Sequence, residues 1–335
     1  MLGLALMAGS AMAQDKNEAL AEQGRFFTLA TGYSNGIYYL FGTIIGALAS
    51  SPVGGLTCEV GGHCGAEQTT IVNLSSQGSQ ANLVLLQEGK VDSAFVQSNL
   101  AYWAYTATAL YDKKPPQENL RAIASFYPEL LHLVVPADSG ISSLADLRGK
   151  RVGMGAKDSG TLINVRQMLK AFNLEEGEFT PSFLSLRETL AQFENAELDA
   201  FFFVGGVPTP AIAQLADKMA IDLIALDGAS SDGLLTANSA NNYYTQREIP
   251  AGAYRGVNKA VPTLAVMALW LTTEAADKEQ VYAMTKAIWT QENHPYWVKQ
   301  LLPVGGLEMS HALDGIGIPL HAGAKRYYNE VGKRF

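Results

Sequence analysis

Between Phe26 and Ser50 the chain reads FFTLATGYSNGIYYLFGTIIGALAS, and inside it Gly32-Tyr33-Ser34-Asn35-Gly36 spells G-x-S-x-G. That spacing supports two chemistries. On a tight strand-to-helix turn the serine can be a nucleophile, provided a base, an orienting acid and an oxyanion loop surround it. At a helix start, the same residues and the unpaired first-turn amides can instead grip an anion. Here the candidate elbow lies on the first strand, nothing upstream supplies an oxyanion loop, and His294, His311 and His321 sit in polar helical or terminal segments. The anion grip needs only the amides of Gly36 and Ile37 with the side chains of Ser34 and Asn35, and no Lys or Arg. The plain alternative is an N-cap with nothing bound.

Recurrence favours the grip. KDSGT repeats the arrangement with Asp158, Ser159, Gly160 and Thr161, and SSQGSQANL offers a third polar helix start with Ser76, Gly78 and Ser79. Gln97, Ser98 and Asn99 follow a buried strand directly, at the end where ligands bind in parallel α/β sheets. Gly205-Gly206 ends another strand and lets backbone approach a ligand. Tyr38-Tyr39 and Tyr102-Trp103-Tyr105 are candidate pocket walls, although aromatics at helical spacing also build cores. No buried Arg or Lys stands out, so neutral donors are expected to dominate, with Arg25, Arg121, Arg166 and Arg187 in reserve. The turn lacks both dinucleotide and Walker glycine patterns, and no metal-ligand spacing is present, so neither cofactor nor metal is expected.

The elements that position these residues repeat. LVLLQEGKVDSAFV from Leu83 aligns without gaps on LAQFENAELDAFFF from Leu190, matching Asp92 with Asp199 and Phe95 with Phe202. Each copy reads as helix, turn, Asp and buried strand, so two similar α/β lobes are expected. LRAIASFYPELLHLVV, broken at Pro128, is the first candidate crossing between lobes, and the apolar run near VPTLAVMALWL is the second. Two crossings make a hinge, and the glycine turns of the two lobes then face one cleft. The expected boundaries are 26–127 plus 262–335 for lobe 1 and 128–261 for lobe 2.

At 335 residues, 48% hydrophobic, the chain can bury a large core, and a net charge of −8 with no basic cluster argues against nucleic acid. MLGLALMAGSAMA, residues 1–13, reads as a signal peptide ending in a small-residue site, although its basic start is missing. Cys58 and Cys64 are the only cysteines, close together with glycines between, and read as a disulfide of an oxidising compartment.

Taken in order, TGYSNGIYY, SSQGSQANL, GKVDSAFVQSNLAYWA, LRAIASFYPELLHLVV, GISSLADLRGKRVGMGAKDSGT and IPLHAGAKRYYNE resemble the TAXI family of solute-binding proteins of TRAP transporters. The pattern departs from the family at Tyr33, Leu40 and Asn99, where Gly, Pro and Asp are usual. The resemblance implies an α/β, two-lobed periplasmic-binding-protein fold of type II-like form, with mostly parallel sheets and a ligand cleft. It further implies a non-enzymatic periplasmic receptor, a monomer, that takes a glutamate-, glutamine- or 2-oxoglutarate-like ligand to TRAP permease subunits driven by an ion gradient. A ligand sensor for a signalling partner is the alternative reading, with a Ser34 hydrolase behind it.

Overall fold

The computed structural model describes residues 24–60, 62, 64–228, 234–235, 243–290 and 308–333. In chain order come β1 (Arg25–Ala30), α1 (Ile37–Ala49), β2 (Ser50–Ser51), β3 (Ala66–Glu67), β4 (Thr69–Leu74), α2 (Ser79–Gln87), β5 (Ser93–Gln97), α3 (Ser98–Thr106) and β6 (Leu120–Pro136). They are followed by β7 (Arg151–Gly153), α4 (Gly160–Ala171), β8 (Thr180–Ser182), α5 (Leu186–Glu194), β9 (Ala200–Gly205), α6 (Pro210–Lys218), β10 (Ile221–Leu223) and β11 (Thr245–Ile249). Then β12 (Val261–Thr273), α7 (Lys278–Trp289) and α8 (Ala322–Glu330) complete the described elements.

Hydrophobic pattern explains the elements. In α1 the buried residues Ile37, Phe41, Ile44, Ile45 and Leu48 recur at helical spacing and lay one face on the sheet. β5 is buried at every position, as a strand covered on both faces should be. All strands join one sheet in the order β3-β2-β4-β1-β5-β12-β6-β9-β7-β8, with β10 on β6 and β11 on β12.

The sheet has two centres. In one lobe β4, β1 and β5 pair in parallel, and in the other β8, β7 and β9 do the same. In both, the chain steps from the central strand to one neighbour through a helix, then back past it to the other. The sequence repeat therefore marks equivalent units: β1, α1, β4, α2 and β5 correspond to β7, α4, β8, α5 and β9. Its shared aspartate does the same job twice. Asp92 accepts hydrogen bonds from the backbone N–H and hydroxyl of Thr28 on β1, both at 2.7 Å. Asp199 accepts from the backbone N–H of Arg151 on β7 at 2.8 Å, and the Arg151 guanidinium holds its carboxyl below the usual range.

Antiparallel pairing enters mainly through the two crossing strands. β6 and β12 run side by side from Leu120 opposite Thr273 to Leu130 opposite Ala265. β12 pairs with β11 through Val261–Ala265 and with β5 through Ala268–Thr272, while β6 takes β9 through Leu130–Val134. The break expected at Pro128 is absent, because the strand passes through it on an irregularity in register between Ser125 and Pro128. A bulge of this kind is where a strand tolerates a residue without an N–H. Trp270, wholly buried, sits in the middle of this pairing.

The leader read at 1–13 and His294 lie outside the described residues. Cys64 is not a free thiol, and the Cys58 side chain lies outside the described ones. Among the described residues no helix is long and apolar enough to cross a membrane.

The Asp92 clamp gives a direct check. Asp92→Ala strips two hydrogen bonds from Thr28, each to a charged acceptor, and should lower unfolding free energy by about 2 kcal/mol in urea denaturation. A change below about 0.5 kcal/mol would show that the clamp does not hold β1.

Candidate functional site

Three helix starts meet where the two lobes touch. α1 begins after Gly36, α2 after Gly78 and α4 after Ser159, and residues of all three line one cavity of about 70 Å³. Neither Gly36 nor Gly78 brings a side-chain cap to its helix; the Ala81 N–H of α2 bonds the Asp158 carbonyl, and the Ile37, Tyr38 and Ser79 amides are left for another acceptor. Gly78 has φ of 106°, a conformation that favours glycine, and this sets the approach into α2. Gly160 is needed for a different reason: a methyl there would stand 2.0 Å from Gln97 Oε1, so the lobes close only onto bare backbone.

A polar network ties the lobes. The Asn164 amide of α4 donates to Gln97 Oε1 at 2.8 Å, and the Asn99 amide donates to Asn164 Oδ1 at 3.0 Å. Tyr244 joins them, donating to Asn164 Oδ1 at 2.6 Å. The backbone N–H of Ala81 donates across to the Asp158 carbonyl at 3.2 Å.

The cavity wall is aromatic and aliphatic, with Tyr33, Ile37, Tyr38, Tyr127, Phe203 and Val204. Among the described residues no Arg or Lys lines it, but one acid, Glu129, does. Glu129 is 3% exposed, and its carboxylate oxygens accept from the Tyr38 hydroxyl at 2.5 Å and the Gln97 amide at 2.8 Å. Burial pushes its pKa up to about 7, against the opposing pull of those two donors. Burial and the neighbouring Glu129 in turn raise the Tyr38 hydroxyl well above its ordinary value. Tyr33 is pushed up to about 12, chiefly by burial.

Of the residues expected from the sequence, Tyr33, Gly36, Tyr38, Gly78, Ser79, Gln97, Ser159, Gly160, Thr161 and Gly205 come together around this cavity. Ser34 and Asn35 do not. The N–H of Gly36 bonds the Tyr33 carbonyl, and the tight turn between them leaves both side chains exposed. The described histidines are engaged elsewhere, His132 with Tyr254, His311 with Asp314 and His321 with Ala276 and Gly323, so none serves Ser34.

Ser76 is used within its own turn, donating to the Thr31 carbonyl and accepting from the Gly78 N–H. Ser98 accepts from the Met267 N–H on β12, and Asn99 belongs to the lobe-tying network. Gly206 stands one residue beyond the wall, against Ile37 and Tyr127. Ser159 is also an N-cap, accepting from the Leu162 N–H, and Thr161 accepts from the Val204 N–H. Tyr102 and Trp103 pack on Tyr243 away from the cavity.

Glu129, Tyr127, Phe203 and Asn164 were not anticipated. An acid within the apolar run of β6 was the available signal for Glu129, since such a residue is rarely buried without a task. A wider trough of about 910 Å³ lies between the cysteine loop and α7, but the helix start there is already capped, Asp277 accepting from the Gln280 N–H.

The model of one protein family, the NMT1-like family, matches residues 29–332. The chain belongs to the NMT1-like family. Among solved structures, this NMT1-like protein is similar to the alkanesulfonate-binding protein SsuA of Xanthomonas axonopodis pv. citri bound to MOPS, with 16% identity and a TM-score of 0.47 over 91% of this chain and 83% of that one. It is also similar to the periplasmic aliphatic sulphonate binding protein SsuA of Escherichia coli, at 13% identity and TM-score 0.45 over 91% and 83%. A putative L-cystine ABC transporter protein of Listeria monocytogenes matches at 13% identity and TM-score 0.45 over 85% and 98%. The NMT1-like chain has an α/β fold with two lobes on one sheet, and its cavity lies at the carboxyl ends of β1, β5 and β9.

Glu129 carries a pH signature. Its folded pKa, about 7, exceeds the ordinary 4.5, so the folded state binds more protons between the two. Its contribution is full below about pH 4.5 and is lost as pH rises to about 7, up to about 3 kcal/mol. Unfolding measured at pH 5 and pH 8 without ligand should show this loss in the native protein and not in Glu129→Gln. Equal losses in both would mean that Glu129 is not held in an apolar site.

Proposed function

We propose that this protein is a periplasmic solute-binding receptor of the TAXI type, which captures a small organic acid or amino acid and delivers it to the membrane subunits of a TRAP transporter. The observation that carries the reading is convergence. Helix starts from both lobes meet at one cavity that no Arg or Lys among the described residues lines, and first-turn amides with a partial positive charge are a ready seat for a carboxylate.

The lobes, 26–127 with 262–335 and 128–261, act as rigid bodies hinged in β6 and β12. A ligand that touches both favours the closed state by its differential affinity, and the permease reads that closure. Ile37, Ser79, Gly160 and Thr161 present backbone amides, while Tyr33, Tyr38 and Gln97 shape the seat. In this reading the protein works as a monomer without cofactor and catalyses no reaction. The leader at 1–13 is removed on export, and Cys58 with Cys64 closes a loop in an oxidising compartment.

Small-angle scattering and thermal unfolding of the mature protein against glutamate, glutamine, 2-oxoglutarate, C4-dicarboxylates and small amino acids test the receptor. The true ligand at 100 times its Kd should add about 2.7 kcal/mol and compact the protein. Stabilisation without compaction would contradict closure, and no response to any acid would contradict the receptor.

A further inference from the structure

The cavity holds a charge problem that the receptor reading leaves unsolved. Glu129 lines it, is almost wholly buried, and receives only neutral donors, the Tyr38 hydroxyl and the Gln97 amide. Ser79 completes the surroundings, its hydroxyl 3.3 Å from that of Tyr38 and accepting from the Gln97 N–H. Among the described residues no Arg or Lys lines the cavity, so an ionised Glu129 has no countercharge from them there. Buried carboxylates are costly unless paired.

Four aromatic residues, Tyr33, Tyr38, Tyr127 and Phe203, share the cavity wall with the acid, and the Tyr38 hydroxyl bonds it directly. Tyr127 and Glu129 reach the cavity from alternate positions of β6, so one strand supplies both ring and carboxylate. Aromatic faces around a carboxylate are the surroundings in which a cationic nitrogen is best held without an arginine partner. An ionised Glu129 repels a ligand carboxylate placed beside it and attracts a cationic group.

We infer that Glu129 and the surrounding rings form a cation seat, so that the ligand is a small zwitterion. Its carboxylate lies on the helix starts, and its ammonium, plain or N-methylated, lies on Glu129. The inference rests on the receptor reading and narrows its ligand to one class.

Isothermal titration of the mature protein separates the two ideas. The probes are the standard L-amino acids and N,N,N-trimethylglycine, each beside the isostere in which carbon or oxygen replaces the charged nitrogen, such as 3,3-dimethylbutanoate for trimethylglycine and lactate for alanine. At least one zwitterion should bind tenfold or more tightly than its neutral-headed isostere. In Glu129→Gln, checked for native circular dichroism, that ratio should collapse toward one. Isosteres that bind as well as or better than the zwitterions would overturn the cation seat and leave the acid receptor standing, as would a preference that survives in Glu129→Gln. Failure of both series to bind would overturn the cation seat together with the receptor.

Discussion

The antiparallel pairing of β6 with β12 is the constraint on which the rest depends. β12 pairs with β5 of one lobe and β6 with β9 of the other, so the ladder between β6 and β12 joins the two halves of the sheet. It also fixes the floor of the cleft. The irregularity beside Pro128 sets the face on which Tyr127 and Glu129 emerge, and a register slip of one residue would turn both away. Behind the floor, Phe41 packs on Tyr127 at 4.4 Å between ring centres and Tyr38 on Phe95 at 5.0 Å, so the cavity wall continues into the core.

On that floor two opposed electrostatic devices meet. The helix starts offer partial positive charge from backbone amides, while Glu129 offers a full negative charge when ionised. Both sit in an apolar enclosure, where each is stronger than in water. Across the lobes runs the network of Gln97, Asn99, Asn164 and Tyr244, made of neutral groups whose hydrogen bonds are each worth about 1 kcal/mol net.

Much of this was legible in the sequence. The gapless repeat exposed two equivalent lobes, and its shared aspartates prove to clamp the central strand of each. Glycine turns located the helix starts because backbone approach requires small residues there. The chemistry of those turns was less legible. Ser34 and Asn35 have the right types for a ligand grip but face solvent, because the turn direction depends on a hydrogen bond from Gly36 to Tyr33 that composition does not specify. Glu129 and Asn164 were missed for the opposite reason. Each is a lone polar residue in an otherwise ordinary element, and its meaning arises only when β6 and α4 are brought together across the cleft.

The central claim is that backbone amides from both lobes hold one ligand. Hydrogen exchange of the mature protein, read at single amides with and without saturating ligand, tests it most directly. Ile37, Tyr38, Ser79, Gly160 and Thr161 should gain protection together, with little change around the cysteine loop and α7. Protection confined to one lobe, or appearing at the cysteine-loop trough instead, would contradict the account.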